Sequence, residues 1–183
     1  MKIYLKTGLV ILVLCIATSL QAQKYVSEKS NVTFYSYAPL EDITAKSKKA
    51  VGIIDVDAEK IAFSIPIRSF DFEKSLMQEH FNEKYMESDK YPKSTFQAVL
   101  IDFNARKKGV QNVTAKGKLT IHGITQNVEI PGKIEMLGNG KIQITSTFMV
   151  KLVDYDITVP QIVFQNIAEE IEVKVDFTLS KKK

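Results

Sequence analysis

Residues able to do chemistry are scarce in this 183-residue chain, which holds one cysteine, Cys15, and two histidines, His80 and His122. Cys15 lies in an apolar run near the start, so the rest of the chain offers neither a disulfide nor a thiol nucleophile. The histidines are about 40 residues apart, and neither falls in a metal-ligand spacing. No GxSxG occurs. The one Gly-x-Gly, Gly138 to Gly140, reads as a hairpin turn and not as a phosphate loop. Arginine is limited to Arg68 and Arg106, and no basic stripe for nucleic acid is present. There is no internal repeat, low-complexity segment or linker, so the length allows one domain or at most a small second one.

The first 22 residues have the character of a signal peptide. Lys2 and Lys6 form a positive start, Leu9 to Ile16 is an uncharged apolar run, and Leu20-Gln21-Ala22 resembles a cleavage site. The apolar run is short against the roughly 20 residues of a spanning helix. Leu14 before Cys15 argues against lipidation, which wants a small residue there. The expectation is cleavage after residue 22, a folded domain over 23–183, and no stable membrane anchor afterwards. Losing Lys2 and Lys6 takes Lys+Arg from 25 to 23 against 21 acids, a net of +2. The basic pI therefore says little about partners. Lys181 to Lys183 read as a solvated tail.

What is present is strand alternation. Segments at Asn31–Tyr37, Ala45–Val56, Ile61–Ile67, Thr95–Phe103, Val113–Ile121, Val128–Met136, Ile142–Val150 and Ile171–Leu179 read as eight strands. Lys46, Lys48 and Lys49 interrupt the second. Each strand has one apolar and one polar face, so it is buried on one side only. Sandwiches and barrels both satisfy that pattern. Long strands, short connections and a succession of simple neighbours favour an up-and-down barrel, whose interior side chains can just fill or which can hold one slender ligand.

One helix interrupts the strands, within Phe70–Phe96. Met77, Phe81 and Tyr85 recur at four-residue steps, with Leu76 and His80 placed on the same face. Ser75 and Gln78 suggest a capping box, with Asp71 as a second N-cap candidate, and Tyr91-Pro92 suggests the helix end. Such a helix should lie on one face or open end of the sheet. His80 then either reaches a ligand at the mouth or bonds a nearby loop, and His122 supports the turn at Gly123. Arg68 either meets an anionic head group at the rim or pairs with Asp71 or Glu73. Asp154 and Asp156 form either a cation site or a solvated loop.

The segment Ser69–Phe96, with Glu79-His80-Phe81 and Lys90-Tyr91-Pro92-Lys93-Ser94-Thr95-Phe96, resembles a signature of YceI-like proteins. Gly117-Lys118-Leu119-Thr120-Ile121-His122-Gly123-Ile124-Thr125 resembles another. Gly52–Asp57, Asp154–Pro160 and the last strand agree, so the resemblance covers nearly the whole chain after residue 22. It implies an all-β, eight-stranded antiparallel, lipocalin-like barrel with one inserted α-helix, located in the bacterial periplasm or secreted. The implied partner is a hydrophobic small molecule, an isoprenoid or fatty-acid-type lipid, with no cofactor, no metal and no catalytic residues. A homodimer is compatible with this.

The expected tunnel lining is Phe34, Phe63, Ile65, Ile67, Met77, His80, Phe81, Phe96, Leu119, Ile121, Val128, Ile130, Phe148, Val150, Val173, Val175 and Phe177, with Arg68 as a head-group contact. Where many such proteins carry an Arg-rich stretch, this chain has Lys151-Leu152-Val153-Asp154-Tyr155-Asp156. That departure disfavours a pyrophosphate head and favours a neutral or amide-type lipid. Two alternatives stand beside this reading. One is a barrel enzyme with His80 or a carboxylate as general base. The other is a barrel filled by its own phenylalanines, serving only as a structural or interaction module.

Overall fold

A computed structural model describes residues 23–37, 42–159 and 167–182. The expected signal peptide, residues 1–22, and the proline ending the Asp154–Pro160 stretch lie outside the described residues. The strands are β1 (Lys24–Ser36), β2 (Ile43–Ser47), β3 (Val51–Asp55), β4 (Lys60–Pro66) and the two-residue β5 (Asp71–Phe72). They continue as β6 (Lys93–Ile101), β7 (Gly109–Ile121), β8 (Ile124–Met136), β9 (Lys141–Lys151) and β10 (Glu170–Lys181). The helix α1 (Ser75–His80) stands between β5 and β6.

Neighbours run in the order β10-β9-β8-β7-β6-β4-β3-β1, and a β1–β10 pairing closes the ring. All the pairings are antiparallel. β2 and β3 share one station in the wall: β3 meets the first part of β1 and β2 the last. The wall is therefore an eight-stranded antiparallel barrel, the architecture that the long strands and short connections favoured. Lys48 to Ala50 separate β2 from β3, at the lysine patch. There the buried Ser47 hydroxyl meets the Ser69 hydroxyl at 2.6 Å and accepts the Lys49 N–H.

Two turns follow from local chemistry. His122 and Gly123 both have positive φ, 51° and 76°, the geometry of a two-residue hairpin turn that matches strand twist. At the β8–β9 turn, Gly140 takes φ 74° and donates its N–H to the Leu137 carbonyl.

The end of the barrel away from α1 is packed solid. Ile54, Ile134, Ile142, Leu179 and Phe177 are almost wholly buried there, and the Phe63 and Phe177 rings meet at 4.6 Å. Gly52 makes room for this contact, since a Cβ there would overlap the Phe63 ring. Phenylalanine thus fills part of the bore.

The helix departs from expectation at both ends. Lys74 is the N-cap and makes no side-chain cap bond, so Ser75 is the first helical residue and forms no capping box. Gln78 turns its side-chain oxygen to the Phe72 N–H at 3.3 Å. Asp71 belongs to β5, paired with Lys46 of β2. After His80 the chain widens into a π-turn over Phe81–Tyr85, with Met86 N–H bonded to the Phe81 carbonyl at 2.9 Å. Glu87, at φ 40°, ends the helix before Tyr91-Pro92. The Pro92 carbonyl instead accepts the Ile67 N–H, leading the chain into β6. Leu76 is 59% exposed, because one residue before Met77 is about 100° around the helix from the buried stripe.

Candidate ligand cavity

Between the packed end and α1 the barrel encloses a cavity of about 370 Å³, within the range of small-molecule sites. Period-2 alternation places its wall. Inward positions of β1 (Val32, Phe34), β4 (Ile61, Phe63, Ile65), β7 (Val113, Ala115, Leu119, Ile121) and β10 (Ile171, Val173, Val175, Phe177) line it. β6 adds Phe96, β8 adds Ile130, and β9 adds Phe148 and Val150. Ile67, in the short turn after β4, and Met77, His80, Phe81 and Tyr85 of the helical segment complete the lining.

Of the expected lining residues, Val128 alone does not reach the cavity. It stands opposite Gly117 in the β7–β8 register and packs against the core. Arg68 is not in the lining either. It points outward from the turn after β4 and pairs with Asp89, not with Asp71 or Glu73. Ile67, its neighbour, takes the inward position.

Phe70, Phe72 and Tyr85 enter the lining unforeseen. Phe34 packs against Phe70, Phe72 and Phe81 with ring centroids 5.3, 5.7 and 5.4 Å apart. The Phe70-Asp71-Phe72 alternation was a usable signal, because β5 docks on β2 and turns both rings to one side. Polar groups facing the cavity are few. The His80 imidazole makes no hydrogen bond among the described residues. Burial raises the Tyr85 phenol above its ordinary value.

His122 sits at the rim, outside the cavity, and ties three segments together. Nδ1 lies 3.1 Å from the Tyr155 carbonyl, Nε2 lies 2.9 Å from the Glu87 carboxylate, and the ring meets Tyr91 edge-on at 4.6 Å. Each ring nitrogen therefore faces an oxygen of a different segment. Asp154 and Asp156 are exposed, while Tyr155 between them is buried. Desolvation, then the Asp154 charge, raises the Tyr155 phenol. Gln126 donates to the Asp154 backbone carbonyl at 2.8 Å.

Among the described residues, no three His, Cys, Asp or Glu side chains converge on a metal-sized site. No helix there is long and apolar enough to cross a membrane.

A closed eight-stranded antiparallel barrel with an apolar interior and one inserted helix defines a lipocalin-like class. Within it, the chain belongs to the YceI-like domain family, whose profile matches residues 24–179. Solved structures of similar fold include a polyisoprenoid binding domain from Saccharophagus degradans, described as implicated in plant cell wall breakdown. It has a TM-score of 0.75 and 16% identity, over 86% of this chain and 98% of that one. Burkholderia cenocepacia BcnA gives 0.70 and 18%, over 81% and 95%. A Campylobacter jejuni YCEI protein gives 0.64 and 18%, over 80% and 89%. At these identities the likeness establishes the fold. No curated protein matches the sequence significantly.

Proposed function

We propose that the protein binds a long-chain amphiphilic lipid, isoprenoid or fatty-acid in type, inside the barrel. It carries or shields this chain in the bacterial periplasm, after removal of residues 1–22. The observation that carries the reading is the cavity, whose lining is almost wholly hydrocarbon and ring. Such a wall recognises an apolar chain and little else. Burial supplies about 0.8 kcal/mol per methylene, before the ordering costs of binding. The polyisoprenoid-binding description of the Saccharophagus degradans relative supports the same ligand class.

Catalysis is not part of this reading. His80 faces the cavity but lacks the orienting hydrogen bond that positions a general base. No cofactor is invoked.

Val175→Phe tests the cavity directly, since it narrows the bore while keeping it apolar. Displacing two or three methylenes should cost about 2 kcal/mol, a roughly 30-fold loss of affinity for a fluorescent lipid. A folded variant with unchanged affinity would count against the cavity as the binding site.

A further inference from the structure

The barrel wall is not hydrogen-bonded along its whole height. β8 pairs with β7 from Met136 to Ile124, and β9 pairs with β10 from Lys141 to Lys151. Between β8 and β9 the ladder holds only from Lys133–Thr145 to Met136–Ile142. Past those pairs no ladder pairing joins the two strands along Ser146–Lys151, about 20 Å at 3.3 Å per residue.

Pro131 marks where the ladder stops. The Ser146 hydroxyl donates to the Pro131 carbonyl at 2.5 Å, so that carbonyl faces β9. In an antiparallel strand the same residue's nitrogen faces the same way, and proline has no N–H to give.

The cavity lining changes at the same place. Elsewhere in the wall only inward positions of a strand line it. At the split, inward Ile130, Gly132 and Ser146 line it together with outward Pro131, Lys133 and Thr145. The cavity therefore reaches both strands of the wall where the ladder ends.

We propose that the wall opens at this break in the ladder, a slit that serves as a lateral mouth from which the polar end of a bound amphiphile emerges, held by the Lys133 ammonium and the Thr145 hydroxyl. This rests on the lipid-binding reading above. Lys133 and Thr145 are register partners on the outer face. Among the described residues Lys133 has no ion-pair partner, whereas Lys116 and Lys141 nearby are each held by a glutamate at 2.7 Å. One ammonium balances one negative charge, and Glu135, two residues along the same face of β8, opposes a second. The ligand class is a single-chain lipid with a monoanionic, carboxylate-type head, not a pyrophosphate.

The test compares cis-parinaric acid with its methyl ester on the wild-type protein and on Lys133→Gln. Lys133 is exposed, so the variant should fold normally. Removing one charge-assisted hydrogen bond should lower the acid-to-ester affinity ratio about tenfold. An unchanged ratio with binding intact overturns the slit as head-group site and leaves lipid binding standing. Binding of neither probe to the wild-type protein overturns the lipid reading and this inference with it.

Discussion

Truncating Phe81 to alanine probes how the helical segment closes the barrel. The ring lies over Phe34 at 5.4 Å, Phe72 at 5.0 Å and Phe70 at 5.7 Å, and it also lines the cavity. It is half-buried, with one side on the aromatic cluster and another toward the cavity. A buried aromatic removes about 150–250 Å² from water; taking about 120 Å² for this ring at 25 cal/mol/Å² gives about 3 kcal/mol. That is the low end of the range for a core Phe→Ala change. In a domain of this size each kcal/mol shifts Tm by about 2–4 °C, so the variant should melt about 6–12 °C lower. Because the ring borders the cavity, the off-rate of a bound fluorescent lipid should rise as well. Thermal unfolding and a stopped-flow displacement assay on one sample read both quantities. A Tm within 2 °C of wild type, together with an unchanged off-rate, would refute the placement of this ring as both packing and closure.

Gly117→Ala should destabilise by about 3 kcal/mol or more, measured by urea unfolding. A Cβ there would overlap the Gln97 carbonyl oxygen and the Ala98 Cα of β6, and backbone atoms cannot swing aside; a neutral result would refute the tight β6–β7 approach. Tyr85 and Tyr155 both have phenols raised by burial above the ordinary value of 10.0. The unfolded chain therefore releases those protons first, so their contribution is complete below that pH and is lost as pH rises through the folded values. Urea midpoints should fall in that alkaline window, and Tyr85→Phe with Tyr155→Phe should flatten the fall; an identical pH profile for the double variant would contradict this.

Alternation with one polar face made the one-sided burial of the strands legible in the sequence, because a strand buried on one side must show period 2, while strand length and short connections pointed to a barrel rather than a sandwich. The same period named most of the cavity wall, from Phe34 on β1 to Phe177 on β10. Turn chemistry was equally local: Gly138-Asn139-Gly140 and His122-Gly123 form the hairpins that their residues imply. The tertiary structure alone decided matters that depend on neighbours remote in sequence. Arg68 was free to face the rim until Asp89, brought back by the helix and its following turn, took its guanidinium. Ser75 had the residue type of a cap, but the capping geometry fell to Lys74 because β5 sets where the helix begins. The split between β8 and β9 left no mark in the alternation, since both strands keep period 2 through it. A missing hydrogen bond at Pro131 becomes the end of a ladder only when the strand beside it is known.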